Sequence, residues 1–564
     1  MKNHFFLLLL LIIGSKSYSQ NALFVPDTLS GTNFVLTMHE DSVQFFPGNK
    51  SHTYAFNGNH YLGPTLFFQQ GSNVNIVVHN QISDTTTVHW HGIHVPAIWD
   101  GGPYSEIMPG DSWNPQFTIM DHAAMYWYHP HPDTKTAKQA IKGAAGLIIV
   151  RDPIEAALIL PRQYGVDDIP LVVQSQQYDS LNQALPRGMQ DSTLLVNGTL
   201  NPFLNVPSQI VRLRLLNASG ERTFNFGFSG NMSFHQIGSD GGLLDVPYLT
   251  NRVRLGPGER AEVLLNLSSM NGQTFYLMSY ASELTMGVQG GPTMPMPLGY
   301  PNMNSPLNGV DFNILQLHVG AQTAQPILSI PSVLIANNLL NPANANCTRT
   351  IRFTADSAMV MDGPFYFNDS TFNMERIDYQ IPINNIEIWK LINETMVAHP
   401  FHIHDVQFYL MDRNGALPVE GERGRKDVVL VPPGDSVTFI TQFTDYADSL
   451  MPYMYHCHIL MHEDDGMMGQ FVVMPASVGV NELNKPYTNV CAYPNPTINF
   501  TTIKTPSGIG EYQLNVENMI GQLVYSIIGN QEEQFLNTTE WPRGMYFIKI
   551  HNSRYRQSVK IIVR

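Results

Sequence analysis

Three times along the chain, two strand-like segments are joined by a Pro-Gly-acid turn: Pro109-Gly110-Asp111, Pro257-Gly258-Glu259 and Pro433-Gly434-Asp435. Nearby residues 74–78, 210–216, 260–267 and 436–443 alternate apolar and polar side chains, the period of a half-buried strand. The turns recur at about 150 to 180 residues, a spacing that fits one domain each. The simplest fold with this pattern is a series of three homologous β-sandwiches. The 564 residues accommodate them, and a charged fraction of 14% with 43 Gly and 38 Pro favours short strands and turns over long charged helices. We expect sandwiches over 20–153, 154–320 and 321–476, a linker over 477–490, and a smaller β domain over 491–564 without a metal-ligand cluster.

Formal net charge is -15, so phosphate backbones and anionic lipid repel the chain and nucleic acid is not an expected partner. Residues 1–19 read as a secretory signal peptide: Lys2, an apolar run over 5–13, and small residues Ser17 and Ser19 before Gln20. That run is too short to span a bilayer, and no later segment is long and apolar enough, so the mature chain is expected to be soluble with no transmembrane segment. Three cysteines are too few for a disulfide framework. Cys347 and Cys491 fall in different predicted domains and are expected to stay separate thiols.

The histidines carry the chemistry. Four His-x-His pairs stand at His89/His91, His129/His131, His402/His404 and His456/His458. In a strand, residues i and i+2 share a face, so each pair aims two imidazoles one way. Imidazole alone suits copper, zinc, iron or nickel. Cys457 decides among them, because the pleat sends its sulfur to the face opposite His456 and His458. His399, His462 and Met467 complete a His2Cys set with a weak axial thioether, the ligand field of an electron-transfer copper. Eight imidazoles remain for a second centre a few covalent bonds away.

His89-Trp90-His91-Gly92, Trp127-Tyr128-His129-Pro130-His131, His399-Pro400-Phe401-His402-Ile403-His404 and His456-Cys457-His458 with His462 and Met467 resemble the four copper motifs of the multicopper oxidases, the family of laccases, bilirubin oxidases and bacterial cuprous oxidases. The likeness spans roughly residues 21–475. It implies an all-β fold of three cupredoxin-like Greek-key β-sandwich domains and four copper ions. His399, Cys457, His462 and Met467 match the type 1 ligands, and His89 and His402 the type 2 ligands. His91, His129 and His458 match one type 3 copper; His131, His404 and His456 match the other. Asp100 and Glu463 match the acidic residues that deliver protons to dioxygen. The implied reaction takes single electrons from a phenolic or metal-ion donor and reduces O2 to water. Copper sequestration, or an envelope scaffold without turnover, is the alternative.

Tyr493-Pro494-Asn495-Pro496, residues 521–525 and 544–549, and the closing strand resemble the C-terminal sorting domain of the type IX secretion pathway. That implies a type IX secretion machinery as partner and export to the cell surface or medium. Met286, Met294, Met296 and Met303 form a loose thioether cluster, read foremost as gap-filling. His94 and His122 are read as structural.

Overall fold

The computed structural model describes residues 20–58, 60–187, 190–293, 305–357, 360–476, 490–506, 508–552 and 556–564. Residues 1–19, read above as a signal peptide, most of the expected linker, and Met294, Met296 and Met303 lie outside the described residues. The fold is all-β, with 48% strand and 6% helix, and no described helix is long and apolar enough to cross a membrane.

Each of the first three units is a pair of sheets closed over an apolar core. In the first, one five-stranded sheet runs Thr28–Ser30, Thr65–Gln69, Gly146–Arg151, Met125–His129, His89–His91, and the other is built around Asn33–Val43, parallel to Asn73–Asn80. Phe34, Leu36, Trp90, Tyr126 and Tyr128 fill the space between them. The middle unit joins a seven-stranded to a six-stranded sheet, and the third joins two of five strands, one of which ends His399–Ile403 beside Val428–Val431. A separate core holds the C-terminal unit, made of a three-stranded and a four-stranded sheet.

All three Pro-Gly turns carry glycine at positive φ: 87° at Gly110, 84° at Gly258 and 74° at Gly434. That is the conformation a Pro-Gly turn requires. Asn73–Asn80 alternates in burial as a half-buried strand does, and Ser436–Gln442 does so as far as Phe439, after which Ile440 and Thr441 are buried as well. Ile210–Asn217 does not: all its residues are buried. Its polar face, Arg212 and Arg214, is closed by Glu155, Asp168 and Glu262. The alternation predicted from sequence is there, but an internal ionic layer stands where solvent was expected. Arg260–Asn266, paired to it, is likewise buried except at Asn266.

Two short helices clamp the first unit to the third. Thr136–Ala140 packs Ala137 and Ala140 against Leu460 of Leu460–Asp464. The Asp464 carboxylate accepts the Thr136 and Ala137 N–H groups at 2.8 and 3.0 Å. The Cys347 and Cys491 thiols, expected apart, are neighbours, because strand Cys491–Tyr493 lies against strand Cys347–Ala355.

Candidate metal centre

The eight paired imidazoles converge at the seam between the first and third units. From one side, His89–His91 and Met125–His129 are adjacent antiparallel strands with His89 opposite His129. From the other, His399–Ile403 pairs with Asp448–Cys457 and sets His402 opposite His456. All eight rings are buried. They stack as they meet, His89 on His404 at 3.8 Å and His91 on His402 at 3.9 Å.

Most of these rings have one nitrogen committed to an oxygen that can only accept. The Nδ1–H of His89 donates to the Asp100 carbonyl at 2.9 Å, that of His402 to the Asp427 carbonyl at 2.8 Å, and that of His404 to Asp100 Oδ2 at 2.7 Å. His129 and His456 donate from Nδ1 to the carbonyls of Pro130 and Cys457. His91 is reversed, giving Nε2–H to Asp427 Oδ1 at 3.1 Å. These bonds fix the tautomers and leave the other nitrogen of each ring with a lone pair.

The free nitrogens gather. His91 Nδ1 lies 3.4 Å from His129 Nε2 and 3.3 Å from His458 Nε2, and His131 Nε2 lies 3.2 Å from His456 Nε2, with His404 beside them. His89 and His402 form a further group with His91. The Nε2 atoms of His89, His402 and His404 are buried without a hydrogen-bond partner, which costs about 1–3 kcal/mol each unless something accepts the lone pair. Burial holds His91, His129, His402 and His404 well below the ordinary imidazole value, and His131 and His458 at about 4 and about 3. Neutral, desolvated and pointed at common centres, they fit a metal cluster.

Across the strand, the Cys457 side chain enters the core of the third unit. Its Sγ is 3.5 Å from His399 Nδ1 and 3.6 Å from His462 Nδ1, and those nitrogens are 3.3 Å apart. Thr395 Oγ1, whose proton goes to Asn393 Oδ1 or the Val397 carbonyl, accepts His399 Nε2–H at 2.9 Å and so presents Nδ1. Phe365 packs on both rings. Met467 is fully buried in this core and pinned by its backbone to Cys457 and His462. Burial pushes the Cys457 thiol up and His462 down to about 3. A soft cation that displaces the thiol proton relieves both.

Asp100 braces two rings, His404 by its carboxylate and His89 by its carbonyl. Glu463 sits 3.4 Å from His131 Nδ1 and 3.2 Å from His456 Nδ1. Burial opposes its charge, but those rings hold it below the usual carboxylate range. Sequence reasoning missed Asp427, which holds His91 and His402 and is gripped by both Arg260 Nη atoms at 2.5 and 2.6 Å. The Pro257-Gly258-Glu259 turn was legible, but not that a Cβ at Gly258 would come within 2.8 Å of the His458 ring. No motif marks Asp427. His94 stands outside the converging rings, paired to Asp405 at 2.7 Å, and His122 lies part-exposed near Asp152. Met286 is exposed.

Three family models described as multicopper oxidase match residues 37–155, 167–294 and 343–477. The chain belongs to the multicopper oxidase family. Its membership implies copper as the metal. A multicopper oxidase from Staphylococcus haemolyticus is 32% identical over 81% of this chain and 94% of its own length. A cell division protein FtsP from Sodalis glossinidius is also 32% identical, over 81% and 93%. Among solved structures, the McoA multicopper oxidase of Aquifex aeolicus has a TM-score of 0.71 at 29% identity, covering 81% of this chain and all of that one. A laccase-like multicopper oxidase from Ochrobactrum has a TM-score of 0.70 at 31% identity over 80% of this chain and 100% of its own. Residues 491–564 match a secretion system C-terminal sorting domain.

Proposed function

We propose that this multicopper oxidase is an exported enzyme that couples one-electron oxidation of a phenolic or metal-ion donor to reduction of O2. In this reading, four coppers bind: type 1 by His399, Cys457, His462 and Met467, type 2 by His89 and His402, and a type 3 pair by His91, His129, His458 and by His131, His404, His456. Copper in these places supplies single-electron acceptance at the first site and four-electron reduction of dioxygen to water at the other three. The observation that carries the proposal is the tripeptide His456-Cys457-His458, whose sulfur faces one donor set while its two rings face the other.

The chain's own residues do the rest. Cys457 gives electrons a covalent route of a few bonds into the rings on either side. Asp100 and Glu463, buried against those rings, are the groups placed to carry protons inward, since the N–H that a metal-bound imidazole keeps is weakly acidic and, in most of these rings, committed to a carbonyl or carboxylate. Asp427 and Arg260 fix the His91 and His402 rings. The sorting-domain match supports export by a type IX machinery, with residues 491–564 as the address.

The relatives named cell division protein FtsP favour a second reading, an envelope scaffold without turnover. Against it stand the buried, unpartnered nitrogens of His89, His402 and His404, whose cost a scaffold has no reason to carry. Copper analysis and oxygen uptake separate the two. We expect about four coppers per chain and O2 consumption with a one-electron donor; a fully loaded sample that consumes none overturns the enzyme reading. Turnover compared on a phenol, bilirubin, Cu(I) and Fe(II) then assigns the donor.

A further inference from the structure

Two of the three cysteines have no part in the copper site, and the fold brings them together. Cys347 opens the strand Cys347–Ala355, which pairs along one edge with Ile386–Asn393 from Cys347 onward. Its other edge meets Phe365–Phe367 only at residues 353–355, so among the described residues no sheet partner covers that edge at Cys347. Cys491 opens Cys491–Tyr493, the first strand of the C-terminal unit, which packs on this same strand. The two thiols lie close enough to interact, and both are partly exposed. The other sulfur contact of Cys347 is the Thr348 carbonyl at 3.7 Å.

Their surroundings divide the labour of exchange chemistry. Arg349, held to Glu387 by bonds of 2.6 and 2.7 Å, and Lys504, opposite Cys491 in register, both place positive charge beside the pair. Arg349 favours the thiolate of either cysteine, and Lys504, across the strand from Cys491, adds its charge on that side alone. Cys491 is thus taken as the first nucleophile and Cys347 as the sulfur that follows.

We propose that Cys347 and Cys491 form a disulfide that staples the C-terminal sorting domain to the third sandwich. The oxidant is an external disulfide, protein or small molecule, of the kind an oxidising envelope compartment maintains. The Cys491 thiolate attacks one sulfur of that disulfide and expels a thiolate, leaving a mixed disulfide. Cys347 loses its proton to the expelled thiolate and attacks Cys491 Sγ, releasing the second thiolate. Two electrons pass from the protein to the external disulfide, and two protons end on the released thiols. The bond bypasses residues 477–490, so cutting the chain there frees the sorting domain only after reduction. The proposal rests on the export reading for its oxidising surroundings, but its chemistry is independent of turnover.

The copper-loaded full chain, treated with oxidised glutathione, then denatured with chelator and alkylated without reductant, tests this. We expect alkylatable thiols to fall from three to one, Cys457, and a linked peptide pair containing Cys347 and Cys491 that reduction separates. Cys347→Ser and Cys491→Ser should each lose the linked pair while keeping the thiolate-to-copper absorption of Cys457. With a protease site placed in 477–490 and cut, the chain should run as one band without reductant and two with it. Three alkylated thiols, glutathione on both cysteines without the linked peptide, or two bands without reductant would each overturn the disulfide, whatever the oxidase assay reads.

Discussion

Asp427 carries an uneven load: its carboxylate takes His91 Nε2–H and both Arg260 Nη groups, while its carbonyl takes His402 Nδ1–H. Removing one partner of a buried pair costs more than the pair is worth, because the other charge is stranded. Asp427→Ala should therefore destabilise by about 3–5 kcal/mol and lose copper at the three-metal site while the Cys457 absorption survives in the folded fraction. Urea midpoints with copper analysis check this. Asp100→Asn keeps an oxygen for His404 and removes the charge; turnover should fall roughly 10- to 100-fold with the type 1 spectrum unchanged, read by stopped-flow reduction against steady-state O2 uptake. The rings that converge here were legible in the sequence because i, i+2 spacing and the interleaved Cys457 encode which faces they share. Asp427 was not, since its partner Arg260 is remote in sequence and only the folded seam joins them.

At the level of turns and helices, the three Pro-Gly turns make an internal control. Gly110 and Gly434 have positive φ and open space where a Cβ would stand, whereas Gly258 has positive φ and the His458 ring. Alanine at Gly110 or Gly434 should cost about 1 kcal/mol with full copper; Gly258→Ala should cost more and displace copper, as metal analysis of all three variants would reveal. Asp84, pinned by Lys135 at 2.8 Å and Lys138 at 2.9 Å, has its carboxyl pulled down to about 2 by those hydrogen bonds. A depressed carboxyl stabilises above its unfolded value of about 3.9 and loses that contribution as pH falls toward about 2. Asp84→Asn should then cost about 1 kcal/mol at neutral pH, allowing for solvent screening, with the gap to the parent closing on acidification in urea titrations. The period-two segments foretold these strands. Burial of both faces of Ile210–Asn217 was hidden, because Arg212 and Arg214 read as solvent-facing until Glu155, Asp168 and Glu262 meet them.

Across the whole molecule, four separate cores follow the chain in order, and the repeat of turn and strand made the first three visible from sequence. How they abut was not visible, since contacts such as Arg260 with Asp427 and Asp464 with Thr136 join residues from distant blocks. A chain ending at residue 476 should keep its copper spectrum and turn over within about twofold of the full protein, because the C-terminal unit folds around its own core. The imidazole cluster behaves otherwise: the first unit lends His89, His91, His129 and His131, and the third lends His402, His404, His456 and His458. Neither half can close the site alone, so loading reports that two independently built halves have met in register. A chelator should accordingly loosen the molecule like a rivet drawn from a joint, with amide exchange quickening first along that line and last in the sandwich interiors.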